Sequence, residues 1–85
     1  MPRVTIYTTP ICPYCAMAKR LLASKNAAFD EIDVSRDAAK RQAMVAKSGG
    51  RQTVPQIWIG ERHVGGCDDL YALEQRGQLD ELLAV

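Results

Sequence analysis

The chain has 85 residues, 47 % of them apolar and 25 % charged, and eleven basic against ten acidic side chains give a net charge of +1. That length fits one domain (residues 1–85) with one small core, which excludes a two-domain mechanism, and the composition excludes a disordered tail. The balanced charge argues against a nucleic-acid partner, and no stretch approaches the roughly 18 apolar residues of a membrane span.

Arg3 to Thr8 alternates β-branched and aromatic residues and predicts a first strand. Thr9-Pro10-Ile11 breaks it, and Cys12 to Lys25 carries helix formers with apolar spacing near 3.6, with Pro13 suited to the first turn. Phe29 to Val34 predicts a second strand, and Ala38 to Ser48 a helix capped by Ser35 or Asp37 and ended by Gly49-Gly50. Val54 to Ile59 reads as a strand joined through Gly60-Glu61 to His63-Val64, a two-residue hairpin closed by Gly65-Gly66. Cys67 to Gln75 and Leu79 to Val85 complete the chain as helices. The order β-α-β-α-β-β-α plus a tail helix implies an α/β fold: a parallel first strand pair, an antiparallel hairpin, and a mixed four-stranded sheet flanked by helices.

Met1-Pro2-Arg3 runs into Val4 with no signal-peptide pattern. Three cysteines, two close together and one remote, do not form the even-numbered framework of a secreted miniprotein. A cytoplasmic protein whose cysteines are chemical rather than structural is expected.

Cys12-Pro13-Tyr14-Cys15 places a C-x-x-C pair where a strand gives way to a helix. Unpaired N–H groups and the positive end of the dipole at that helix start favour a thiolate at Cys12, while Cys15, one turn on, is expected to be more buried. Such a pair can close a disulfide reversibly, with Cys12 attacking and Cys15 resolving. The alternative is a zinc site in which His63 and Cys67 complete the ligands; Pro-Tyr at a helix start fits it less well.

In Thr53-Val54-Pro55, the proline cannot donate to a ladder and belongs at a strand start or in a cis turn, which would leave the Val54 backbone free to pair with an extended peptide. An ordinary turn proline is the competing reading. Gly65-Gly66-Cys67-Asp68-Asp69 combines close backbone approach with a helix N-terminus and an aspartate, a set suited to the α-amino-acid end of a zwitterion. A helix with an acidic first turn explains the same residues more blandly.

These three motifs, with the strand before Cys12, cover nearly the whole chain and resemble the dithiol glutaredoxins with a Cys-Pro-Tyr-Cys site. The resemblance implies a thioredoxin-like fold and glutathione-dependent reduction of protein disulfides and protein–glutathione mixed disulfides. It implies Cys12 as nucleophile and Cys15 as the resolving thiol needed only for protein disulfides. For glutathione, it implies Tyr14 flanking the tripeptide cysteine, Thr53 and Val54 pairing with its backbone beside a cis Pro55, and Gly66, Cys67 and Asp68 holding the γ-glutamyl end. Glutathione is then a cosubstrate and no cofactor is tightly bound. A separate glutathione reductase with NADPH supplies electrons indirectly, the partners are glutathionylated or disulfide-containing proteins, and a monomer is expected.

One departure stands out: the family usually carries a lysine three residues before the first cysteine, where this chain has Thr9. Arg51 or Gln52 is expected to take over its contact with the glycine carboxylate. An iron–sulfur cluster shared across a dimer is a second metal alternative, against which Pro13 counts, and a thioredoxin-like protein reduced by a flavoprotein is a third reading, against which the Gly65-Gly66-Cys67-Asp68 loop and Tyr14 count. Cys67 reads as a small packing residue with partial exposure, open to oxidation or glutathionylation. His63 reads as a surface residue, and Lys19, Arg20, Lys40, Arg41 and Lys47 as solvated faces.

Overall fold

A computed structural model describes residues 2–84. Its elements are β1 (Val4–Thr8), α1 (Pro13–Ser24), β2 (Phe29–Asp33), α2 (Ala38–Lys47), β3 (Gln56–Ile59), β4 (Arg62–Gly65), α3 (Cys67–Gln75) and α4 (Leu79–Leu83). The four strands form one sheet in the order β2-β1-β3-β4. β1 runs parallel to β2 and antiparallel to β3, and β3 pairs antiparallel with β4. The expected mixed sheet and element order are therefore present.

Side chains alternate across a strand, so β1 and β3 feed two cores. On one face Val4, Ile6, Ile57 and Ile59 pack with Ala18 and Leu22 of α1, Leu70 and Leu73 of α3, and Leu79 and Leu83 of α4. On the other, Tyr7 and Trp58 pack with Val34 and with Met44 of α2. Full burial of a Leu or Ile contributes about 1.5–3 kcal/mol relative to exposure, so the first face dominates.

Local chemistry sets the ends. Asp37 caps α2 by accepting from the Lys40 N–H at 3.0 Å. Gly60-Glu61 forms the two-residue connection of the β3–β4 hairpin, with Ile59 opposite Arg62 and Gly60 at φ +60°. Lys25 at the end of α1 meets Glu74 at 2.7 Å and Asp80 at 2.9 Å, tying α1 to the last two helices.

Most element ends fall within one residue of expectation, and two differ by two residues. β3 starts at Gln56, not Val54, because Pro55 has no N–H for a ladder and the Thr53 carbonyl is taken by the Gln56 side chain. The tail helix ends at Leu83, and Val85, its expected last residue, lies outside the described residues. No helix among the described residues is long and apolar enough to cross a membrane.

Candidate active site

The link between β1 and α1 delivers Cys12 to the end of the sheet. Cys12 is the N-cap of α1, in extended conformation, and Pro13 occupies the first turn, where an N–H would be unpaired in any case. The Cys15 N–H donates to Cys12 Sγ at 3.1 Å, so charge developing on that sulfur meets a backbone donor at the positive end of the helix.

Cys12 is half-buried and Cys15, one turn deeper, is only 1 % exposed; all three cysteines are free thiols. Burial, then the hydrogen bond with Cys12, pushes the Cys15 thiol up to about 12, against weaker opposition from the Thr9 backbone and Lys19. The two sulfurs thus differ in access to solvent.

Opposite Cys12 stands the segment before β3. The Val54–Pro55 bond is cis, and the Val54 carbonyl lies 4.0 Å from Cys12 Sγ. Thr53 is held by Gln56 Nε2, which donates to its carbonyl at 3.1 Å and approaches its hydroxyl at 3.3 Å. Upstream, the Ser48 hydroxyl accepts from the Arg51 N–H at 3.0 Å, and Arg41 Nη1 donates to the Gln52 carbonyl at 3.0 Å. The backbone from Arg51 to Thr53 is fixed by side chains rather than by a ladder.

The third wall is the start of α3. Gly66 is its N-cap, and Asp68 and Asp69 sit in its first turn. Asp69 reaches back to accept from the Gly66 N–H at 2.8 Å, and Arg51 Nη2 lies 3.7 Å from the same carboxylate oxygen. That exposed pair is worth little by itself, but it brings a guanidinium to the Gly66 end of the site.

Between these walls lies a groove of about 320 Å³ lined by Tyr14, Arg51, Thr53, Val54, Pro55, Gly66, Cys67, Asp68 and Asp69. The sequence-predicted residues therefore converge, with Cys12 at the Val54 side, and Gln52 is the exception: it lines a second hollow with α2 residues including Arg41 and Val45. Asp69, a member of the Gly65–Asp69 motif, is the lining residue to which the resemblance assigned no contact with glutathione. Its position three residues after an N-cap glycine, where a side chain reaches back over the first turn, is the signal that could have found it.

Cys67 packs as expected but without the expected partial exposure, and the surface position expected of His63 is corrected. Cys67 is buried, 5 % exposed, because the inward stripe Cys67, Leu70 and Leu73 packs into the first core; burial, and then Asp68 and Cys12, raise its thiol above the ordinary value. His63 is half-buried instead of surface-lying, its ring stacked at 4.7 Å between centroids on Trp58, a member of the second core. Cys67 and His63 thus belong to opposite faces of the sheet, which separates two of the four ligands of the zinc alternative. Among the described residues no group of three or more His, Cys, Asp or Glu side chains could hold a metal ion.

The glutaredoxin family model matches residues 4–64. Glutaredoxin 3 of Escherichia coli strain K12 is 57 % identical over 83 residues, covering 98 % of this chain and 99 % of its own length. The solution structure of glutaredoxin from Brucella melitensis is 61 % identical with a TM-score of 0.85, covering 98 % of this chain and 89 % of that one. The crystal structure of a buckwheat glutaredoxin–glutathione complex superposes with a TM-score of 0.87 at 27 % identity, covering 95 % of this chain and 76 % of that one. With a Cys-x-x-Cys pair at the first turn of α1, a groove walled by the Thr53–Pro55 segment and the start of α3, and relatives matched over nearly their full length, the chain belongs to the glutaredoxin family.

Proposed function

We propose that Cys12 is the nucleophile and Cys15 the resolving thiol of this glutathione-dependent thiol–disulfide oxidoreductase, and that the groove beside Cys12 binds glutathione. The observation that carries the reading is Cys12 Sγ at 4.0 Å from the Val54 carbonyl, which puts the nucleophile against the segment that would pair with an extended tripeptide. Thr53 and Val54 present backbone groups to the tripeptide cysteine beside Pro55, and Tyr14, 59 % exposed, flanks it. The N–H groups of Cys67 and Asp68 at the start of α3, behind Gly66, receive the γ-glutamyl carboxylate, and the Asp68 carboxylate takes its ammonium. Arg51, with a guanidinium in the groove, is the cationic side chain for a glutathione carboxylate. Gln52 contributes through its backbone, which Arg41 holds, and its side chain does not line the groove.

The Cys12 thiolate attacks the glutathione sulfur of a mixed disulfide. The S–S bond breaks, the protein thiolate leaves and takes a proton, and glutathione stays on Cys12. A second glutathione thiolate attacks that sulfur, releasing glutathione disulfide and restoring Cys12. A separate NADPH-dependent reductase returns the disulfide to two thiols. With a protein disulfide, Cys12 is first joined to the substrate, Cys15 attacks the Cys12 sulfur, the substrate leaves with both thiols reduced, and two glutathiones reopen the Cys12–Cys15 bond.

Glutathione is a cosubstrate in this scheme and glutathionylated or disulfide-containing proteins are the partners. A groove built wholly from one chain supports action as a monomer, and three free thiols fit the reducing cytoplasm. The test is turnover of a small glutathione mixed disulfide, coupled to glutathione reductase and NADPH, for the native chain, Cys12→Ser and Cys15→Ser. Loss in Cys12→Ser with retention in Cys15→Ser is expected; activity surviving in Cys12→Ser overturns the assignment.

A further inference from the structure

Gln56 is fully buried, yet it is polar and lies in the hairpin, outside the groove lining. Its amide is used at both ends: His63 Nε2 lies 2.7 Å from Gln56 Oε1, and Gln56 Nε2 donates to the Thr53 carbonyl at 3.1 Å. A carbonyl accepts only, so Thr53 fixes which end of the amide is nitrogen. The oxygen is then turned to His63, which must donate from Nε2. The imidazole cannot swing away easily: its ring stacks on Trp58, itself 3 % exposed, and Lys47 Nζ lies 4.7 Å from the centre of the Trp58 ring. The chain of donors therefore runs one way, from β4 to Gln56 to Thr53, and the next residue, Val54, places its carbonyl against Cys12 Sγ.

From this we propose that His63 and Gln56 are positioning residues for the groove: the directed chain His63 to Gln56 to Thr53 sets the Thr53–Val54 backbone that a bound glutathione pairs with. The inference rests on the glutathione reading of the groove. The physical reason is that Thr53 and Val54 belong to no strand. Without a ladder, their placement depends on side-chain donors, and Gln56 can serve Thr53 in this orientation only while something donates to its other end. Loss of the His63 donor leaves a buried amide oxygen unpaired, which favours turning the amide over and abandoning the Thr53 carbonyl.

Three variants separate positioning from bulk stability. His63→Phe keeps a ring on Trp58 and removes the donor, His63→Gln supplies an amide donor near the place of Nε2, and Gln56→Met removes the relay. In turnover of a glutathionylated peptide with the reductase couple, His63→Phe is expected to raise KM roughly three- to tenfold while kcat stays within about twofold, and His63→Gln is expected to recover most of that loss. The double variant His63→Phe, Gln56→Met should be no worse than Gln56→Met alone, since one relay is lost only once. In parallel, two-dimensional 15N NMR of the imidazole in the unmodified protein should show the proton on Nε2. A Nδ1–H form, a KM unchanged in His63→Phe, or fully multiplicative single and double effects overturns the inference. The NMR result stands even where a variant fails to fold. Absence of turnover in the native chain would remove the glutathione reading and the inference with it, whereas native turnover with an indifferent His63→Phe would remove the positioning role alone.

Discussion

The Cys15 N–H donates to the Cys12 sulfur at 3.1 Å, while the thiol of Cys15 itself is sealed from water. One helical turn thus gives two chemically unequal sulfurs. Because Cys15 is held up to about 12, against an ordinary value of 9.0, it stays a thiol across the whole range in which a solvent thiol ionises. In the reduced protein, alkylation by iodoacetamide near neutral pH is expected to place one adduct, on Cys12, with Cys15 and Cys67 reacting only after unfolding. Mass spectrometry of the native reaction checks it, and a second adduct at a comparable rate would be incompatible with this burial. The linkage has a definite sign: the folded value is raised, so the stabilisation is intact below 9.0 and drains away as pH rises toward about 12.

Glu31 of β2 accepts from the Thr8 hydroxyl at 2.7 Å and from Lys19 Nζ at 3.0 Å, bracing the end of β1 from which the Cys12 turn departs. The Thr8 hydroxyl first, and Lys19 second, hold this carboxyl below the ordinary 4.5. A lowered folded value contributes stability that is present above 4.5 and lost as pH falls through the folded value. Unfolding of the native chain and of Glu31→Gln is therefore expected to differ near neutrality and to converge in acid. A constant gap between them down to about pH 3 would remove the carboxylate from the account.

Gly65 sits at φ +116°, and a Cβ there would collide with Asp69 Oδ2 and lie 2.7 Å from its Cγ. Gly65→Ala must both strain the backbone and push the Asp69 carboxylate off the Gly66 N–H. A loss of about 1–3 kcal/mol is expected from the backbone conformation. Thermal unfolding measures it, and turnover should fall along with it because the displaced carboxylate lines the groove. An unshifted Tm would contradict the geometry.

Arg51→Ala removes the cationic side chain of the groove while leaving its backbone, which Ser48 holds. KM for a glutathionylated substrate is expected to rise roughly three- to tenfold with kcat nearly kept, the behaviour of a group that binds ground and transition states alike. Equal KM values for the two proteins would assign Arg51 to the surface alone.

The element order and the groove were largely legible because their signals are local: a proline at a helix start, a two-residue glycine turn, apolar spacing along α1 and α3. What was not legible depends on which side of the sheet a residue falls. Both faces of β1 and β3 are covered, so alternation along the hairpin does not say whether His63 points to water or onto Trp58; the pairing of Trp58 with His63 decides it. Cys67 was read as a packing residue and is one, since Cys67, Leu70 and Leu73 make one inward stripe. Its expected partial exposure at the helix start is what that stripe removes. Gln52 and Arg51 are neighbours in sequence that part in space: the first turns to α2 and the second to α3.

The sheet order leaves β2 as an outer strand, and that strand, Phe29–Asp33, carries Asp30, Glu31 and Asp33 in five residues. An unpaired strand edge is a template on which another extended chain can add and begin a fibril. Here any newcomer laid alongside in the same register would set carboxylate against carboxylate. Asp30 and Glu31 are paired with Arg3 and Lys19 from within the fold. The acidic side chains of β2 thus disfavour edge-to-edge pairing between copies of the chain.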